Sequence, residues 1–314
     1  MKSRAAVIDI GSNSIKALVA SRNEATGKLD ILMEKSLDAR ISAGIGEAVP
    51  VLRAEGIRSG VMAVVELLKS CRVHEPLDAI RIVATSAVRS STNGHDFVAA
   101  VHAATGHEVH TLSGLEEAEG IARGILGDPA LPEFESFTAF DLGGGSLELM
   151  YFEGCQLKTY QSFELGSVRL MEMFFGDPSK PIPAAQQQAC ARHLHETLAQ
   201  GSVPLKAPLV GCGGGLTVAS RMLEGDPQAA ERTGSVTPYF FSKSWFKTIK
   251  PLVVDASKED RLRIPGIPES RADIFPIAIL TCDVLMHLCG ADGIHHTTHN
   301  LRFGIAHDIL GIPH

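Results

Sequence analysis

Asp9-Ile-Gly-Ser-Asn-Ser-Ile-Lys-Ala-Leu-Val19 and Asp141-Leu-Gly-Gly-Gly-Ser-Leu-Glu-Leu-Met-Tyr151 align without a gap. The Asp, the Gly and the second Ser are identical, and apolar positions match apolar positions. Each stretch reads as an apolar strand ending on an acid, a turn of small residues, and a second strand. A unit written twice predicts two related α/β domains. An acid at the end of an apolar strand costs several kcal/mol if unpaired, so it implies a metal or a substrate hydroxyl. Small-residue turns leave backbone N–H groups and Ser hydroxyls open to phosphate oxygens. Gly11, Ser12, Asn13 and Ser14 in one half, and Gly143, Gly144, Gly145 and Ser146 in the other, are therefore candidate phosphate-binding residues, with Asp9 and Asp141 as the acids. Two plain hairpins with Asx-turns are the alternative; the duplication favours a two-sided phosphate clamp.

Outward from the repeat, short strands alternate with helices. Ala5–Ile10, Ile15–Ala20, Leu29–Met33, Ser36–Ile41 and Ala79–Ala84 read as strands, and Ile57, Val61, Val64, Val65 and Leu68 fall at helical spacing between Glu55 and Cys71. Asp96–Ala104 and Gly114–Leu126 are predicted helices, with a strand over Glu108–Leu112 between them. The turn-rich run Gly127-Asp-Pro-Ala-Leu-Pro-Glu133 predicts a boundary, giving domains over 1–131 and 132–301. The second domain opens with strands Phe137–Leu142 and Leu147–Phe152. Helices over 167–175, 185–199, 216–224, 243–253 and 271–289 follow, separated by loops at Gly176–Pro183, Glu224–Pro238 and Asp255–Ser270. A last helix, Arg302–Leu310 within 302–314, is expected to pack back on the first domain.

The 314 residues suit two domains of about 150 residues each. With 45% hydrophobic and 21% charged residues the chain is not a disordered one. Lys+Arg 29 against Asp+Glu 36 leaves a net charge of −7, so no general cationic field gathers nucleic acid or a membrane surface, and any polyanion must be held locally. Asp9 interrupts the first apolar run and Asp283 the run Ile274–Met286, so neither a signal peptide nor a membrane span is expected. Cys71, Cys155, Cys190, Cys212, Cys282 and Cys289 show no CxxC spacing and read as reduced thiols of a cytoplasmic protein. His295, His296 and His299 read as the polar end of a strand and loop rather than a metal trio, because neighbours on extended backbone face opposite ways.

Three further motifs carry chemistry. Val210-Gly-Cys-Gly-Gly-Gly-Leu-Thr217 joins a short strand to a helix, so Gly213 and Gly214 are candidates for a distal phosphate or nucleotide contact. The loop lacks the last Gly of GxGxxG, and no GxxxxGK[ST] motif occurs, which excludes Rossmann and P-loop sites. Ala84-Thr-Ser-Ala-Val-Arg89-Ser-Ser-Thr-Asn93 offers hydroxyls, an amide and the Arg89 guanidinium as a phosphate grip, or else a polar connection with Arg89 solvated. Ser113-Gly-Leu-Glu116 is a capping box. With Glu116 engaged there, Glu117 is expected to be the free carboxylate at the helix start, able to deprotonate a water, or else simply to complement the helix dipole.

These strings, with Leu165-Gly-Ser-Val-Arg-Leu170, Gly211-Cys-Gly-Gly, Arg271-Ala-Asp-Ile and Leu301-Arg-Phe-Gly, resemble the Ppx/GppA family of exopolyphosphatases and guanosine pentaphosphate phosphohydrolases nearly end to end. The resemblance implies the two-domain fold of actin, sugar kinases and Hsp70, a duplicated ribonuclease H-like architecture with its active site in the cleft between domains. It implies Mg²⁺-dependent release of terminal phosphate from inorganic polyphosphate or pppGpp, with Mn²⁺ a possible substitute, and a possible homodimer. By similarity Glu117 matches the catalytic acid, Arg89 a phosphate-contacting arginine, and Asp141 and Glu148 metal-binding acids; Asp9 is a further candidate ligand. Gly215 stands where relatives often carry Thr, and Phe303 where many carry Glu. The chain reaches His314 without the C-terminal helical region of long members, so short polyphosphates are the expected preference. The competing functions are a nucleotide-dependent kinase of the same fold and a non-catalytic sensor of polyphosphate or an alarmone.

Overall fold

A computed structural model describes residues 3–43, 49–225 and 240–313. The predicted loop Glu224–Pro238 lies, from residue 226 on, outside the described residues. The chain divides into two compact units, Met1–Asp128 with His299–His314, and Pro129–Thr298.

In the first unit β1 (Arg4–Ile10), β2 (Ser14–Arg22), β3 (Leu29–Asp38), β4 (Ala79–Ala84) and β5 (Val109–Thr111) form a sheet of order β3-β2-β1-β4-β5. The first three strands are antiparallel neighbours, while β4 runs parallel to β1 and β5 to β4. One face is covered by α1 (Ala54–Arg72) and α3 (Gly94–Thr105), whose Val64, Leu67, Phe97 and Val101 pack with Ile8, Ile10, Ile15 and Ala17. α4 (Gly114–Leu126) and α11 (Leu301–Leu310) pack on each other, and α11 lies against β1 and β2. With both faces covered, β1 reads as a nearly unbroken apolar run rather than an alternating one. The two strands expected over 29–41 are one, β3. Its Glu34, Lys35 and Ser36 look like a break in sequence, but an edge strand tolerates charge on its solvent side, and the three pair in unbroken register with Leu18, Ala17 and Lys16.

The second unit repeats this plan. β6 (Ser136–Leu142), β7 (Leu147–Glu153) and β8 (Gln156–Phe163) are antiparallel neighbours; β9 (Leu209–Gly213) runs parallel to β6, and β11 (Gly293–His296) to β9. The short β10 (Phe240–Ser242) extends the edge, for an order β10-β11-β9-β6-β7-β8. Around the sheet stand α5 (Ser167–Phe174), α6 (Ala184–Ala199), α7 (Gly214–Gly225), α8 (Lys243–Val254), the single turn α9 (Lys258–Leu262) and α10 (Phe275–Cys289). The helix predicted from 271 begins at Phe275, because Pro276 lacks an N–H and fits only the first helical turn. The expected loop over 255–270 is tied down by the fully buried Arg261, whose guanidinium donates to the carbonyls of Val253 (2.8 Å), Ala272 (3.0 Å) and Pro178 (3.2 Å).

Candidate functional site

Both hairpin turns are built the same way. In the first unit the turn carbonyls are taken from behind: Ala39 and Arg40 N–H donate to Asn13 O (3.0 and 2.9 Å), and Ser42 N–H to Ser12 O (3.1 Å). Ser12, Asn13 and Ser14 are buried. In the second unit Ser167 and Val168 N–H donate to the carbonyls of Gly143 (3.0 Å) and Gly144 (2.9 Å), and the Arg169 side chain reaches Gly145 O (3.3 Å). Fixing the carbonyls on one side aims the peptide dipoles so that N–H groups face the other, which is how a turn attracts anions. The string Leu165–Leu170 thereby gains a physical role. A Cβ on Gly166 would overlap the backbone of Gly144 and Gly145, so only glycine lets the start of α5 come this close.

The acids differ between the repeats. Asp9 stands opposite Lys16 in the β1–β2 register, whereas Asp141 stands opposite Glu148 in β6–β7. Residues directly opposite share one face with Cβ atoms about 5 Å apart. The second hairpin therefore carries two carboxylates side by side, and the first an acid with a cation. Glu148 is 2% exposed, and its Oε1 accepts from Ser162 Oγ (2.8 Å) on the neighbouring strand.

The third glycine loop follows β9 as the Thr85–Ser86 connection follows β4, with Gly213 registered on Leu142 as Ala84 is on Ile10. Topology thus makes the Gly213–Gly215 and Thr85–Arg89 segments counterparts, a relation hidden in sequence. Gly213 has φ +111°, and a Cβ there would sit 2.5 Å from Leu142 O and 2.9 Å from Asp141 Oδ1. Gly214 opens α7 and lies under the guanidinium of Arg271, which also borders a cavity about one water in size lined by Leu142, Gly143, Ser167 and Gly215. Arg271 was not among the candidates; the Arg271-Ala-Asp-Ile string was its only signal. Gly215 abuts Ala278 so closely that a side chain, Thr included, would overlap it.

Arg89 and Glu117 meet. α2 (Ser86–Ser90) presents Arg89, whose Nη1 donates to Glu117 Oε2 (2.6 Å) and to Leu112 O (2.9 Å). Glu117 is 6% exposed, so the carboxylate expected to be free is ion-paired: a shielded charge needs a partner. Three more residues of the 84–93 grip spend polar groups on nearby backbone. Asn93 exchanges two hydrogen bonds with the Leu52 backbone, Ser91 Oγ donates to Ala87 O, and Thr92 Oγ1 to Pro50 O.

The capping box is in place: Ser113 Oγ accepts from Glu116 N–H (3.2 Å), and Glu116 Oε2 accepts from Ser113 N–H (2.8 Å). The Ser113 N–H bond first, and then His110, hold the Glu116 carboxyl down at about 2. A depressed carboxyl stabilises the fold above its ordinary value of 4.5, and the effect disappears as pH falls through about 2. In acid titrations followed by circular dichroism, Glu116→Gln should be less stable than the parent at neutral pH, with the gap closing between these two values. A gap that persists at pH 2 would assign the loss to something other than this charge.

Among the described residues no helix is long and apolar enough to cross a membrane. A model of the Ppx/GppA phosphatase family matches residues 18–311, so the Asp9–Ser14 turn lies just before the matched span. Two curated relatives, each a guanosine-5'-triphosphate,3'-diphosphate pyrophosphatase, from Aeromonas hydrophila subsp. hydrophila and Aeromonas salmonicida, are 24% identical over 311 residues. The match takes in 98% of this chain and 60% of theirs, so the chain spans about three fifths of the length of those relatives. Among solved structures, an exopolyphosphatase from Cytophaga hutchinsonii is similar with TM-score 0.84 and 21% identity, covering 99% of each chain. The Aquifex aeolicus PPX-GPPA enzyme gives TM-score 0.76 and 22% identity over 97% of this chain and 99% of its own. Fold and sequence agree: this is an actin-like ATPase-type fold, and the chain belongs to the Ppx/GppA phosphatase family.

Proposed function

We propose that this chain hydrolyses the terminal phosphoanhydride of a linear polyanion, inorganic polyphosphate or guanosine pentaphosphate, with water as acceptor. The observation that supports this most is the contact of Arg89 with the buried Glu117. A phosphate bound at the guanidinium stands beside the carboxylate, and a water lying between them has its general base within one hydrogen bond. In the proposed step the water oxygen bonds to the terminal phosphorus while the bridging P–O bond breaks. Glu117 takes the water's proton, and the electron pair leaves on the shortened chain. Positioning and charge neutralisation are what the protein adds. The turns Gly11–Ser14 and Gly143–Ser146 serve the phosphate oxygens through N–H groups other than that of Gly143, which donates to Ser146 O (3.0 Å), and Gly213 and Gly214 serve a distal phosphate or nucleotide.

The donor set fits Mg²⁺, with Mn²⁺ as the substitute. Asp141 and Glu148 bring two hard oxygen donors to one face, and Asp9 is a third candidate. Among the described residues no three His, Cys, Asp or Glu side chains are grouped to hold a metal ion by themselves. That suits a cation that uses one or two carboxylates, keeps several waters and shares the substrate's phosphates. When bound it neutralises phosphate charge.

Phosphate release from short polyphosphate, long polyphosphate, pppGpp and ATP, each with Mg²⁺ and with chelator, tests the reading. Release from polyphosphate or pppGpp that chelator abolishes is expected. Stoichiometric transfer from ATP to an added acceptor would overturn it in favour of a kinase, and binding without release in favour of a sensor. Because the net charge is −7, each distal phosphate adds little affinity, so short chains and distributive release with visible intermediates are expected. Processive digestion would point instead to a basic track formed between copies in a homodimer. Arg89→Ala should raise KM on the order of tenfold or more, and should lower kcat as well, because Glu117 loses its partner.

A further inference from the structure

Glu117 lies in the first turn of α4, and one turn further on is Gly120. The carbonyl oxygen of Gly120 lies so close to Gly304 of α11 that a Cβ on Gly304 would overlap it, and would also crowd Gly124 N at 3.0 Å. From the other side, a Cβ on Gly124 would overlap Asn300 O, and one on Gly120 would meet Leu301 Cδ1 at 2.5 Å. Gly304 sits inside a helix without a positive φ, so backbone conformation does not demand glycine there. The demand is contact: at Gly304 the two helices touch backbone to backbone, with no side chain there to give way.

α11 is anchored elsewhere independently. Arg302, 6% exposed, donates through Nη1 to Ala17 O (3.1 Å) on β2 and through Nη2 to Glu34 Oε2 (3.2 Å) on β3. At the far end Arg123 of α4 pairs with Asp308 (3.0 Å). The hairpin carrying Asp9 and the Gly11–Ser14 turn thus holds α11, and α11 holds α4 at a distance set by peptide atoms.

We propose that Gly304 is a positioning residue: the Gly304–Gly120 contact sets the seat of α4 against the β1–β2 hairpin, and so places the Glu117 carboxylate where Arg89 and the substrate phosphate require it. This rests on the reading of Glu117 as general base. A methyl group at 304 has no flexible neighbour to displace, so the helices must part by roughly 1 Å, and a misplacement of that size costs a positioned reaction about 10²-fold.

The test uses the full chain with short polyphosphate or pppGpp as substrate, whichever it hydrolyses. Gly304→Ala is expected to lower kcat on the order of 100-fold while KM changes less than about threefold. Asp308→Ala, which loosens α11 without pushing the helices apart, should keep kcat although it lowers the melting temperature. In a Glu117→Gln background Gly304→Ala should lower kcat no further, because it acts through that carboxylate. If Gly304→Ala does not fold, Gly120→Ala takes its place, with an expected kcat loss of about tenfold that Leu301→Ala reverses by removing the colliding methyl. Wild-type kcat in a folded Gly304→Ala or Gly120→Ala protein, or an equal further loss in the Glu117→Gln background, overturns the proposal. Wild-type kcat in Glu117→Gln itself overturns the general-base reading on which it rests.

Discussion

Glu117→Gln should lower kcat by a factor on the order of 10² to 10⁴, the usual worth of the general base proposed here, and should leave substrate binding intact. The structure adds a sign to the binding term. Arg89 Nη1 spends one of its hydrogen bonds on Glu117. A neutral amide competes less well for that guanidinium than a carboxylate does, so KM should stay level or fall. Glu116→Gln is the matched control, one residue away on the same helix but turned to Ser113 and His110. It should cost stability and spare kcat. Steady-state kinetics of the two variants side by side decide the assignment: equal losses of kcat would remove Glu117 from the chemistry.

Asp141→Asn should raise the Mg²⁺ concentration for half-maximal rate by about tenfold or more, since one charged oxygen of a sparse donor set is lost. Glu148→Gln should act in the same direction, because it stands across the strand pair from Asp141 on the same face. Asp9→Asn should shift the Mg²⁺ requirement less, because the residue across from Asp9 is Lys16, whose charge disfavours a cation. Mn²⁺ binding followed by electron paramagnetic resonance provides a readout that needs no turnover. Identical Mn²⁺ isotherms for the parent and Asp141→Asn would exclude that carboxylate as a ligand.

What the sequence disclosed was what is local. The two hairpins, α1 and α4 with its capping box are each specified within about a dozen neighbours, and they appear in the structure where period and cap residues predict them. β8 and β10 were not anticipated, because polar residues interrupt β8 and β10 is only three residues long, while β11 was visible only as the strand end read at His295 and His296. Such strands exist because a partner distant in sequence supplies their hydrogen bonds.

The candidate site divides along the same line. Asp141 with Gly143–Ser146 could be seen as a unit because they adjoin, and the repeat pointed to them. That Arg89 meets Glu117 could not be seen, since 28 positions separate them and either residue alone suits a solvated surface. The glycines were the least legible. Gly304 looks like a weak point in a helix, and only the neighbouring backbone shows why no other residue fits.

The first unit is written in two pieces, with the whole second unit between them. On a ribosome adding about 5 to 20 residues per second, α4 waits on the order of ten seconds or more for α11 to be made. During that interval Gly120 and Gly124 have no backbone to lie against, and the faces of β1 and β2 that α11 covers stand open to water. The second unit, being continuous, has no such wait. The order of synthesis therefore makes the half that carries Glu117 the last to close, with the seat of α11 uncovered while the chain is still being made.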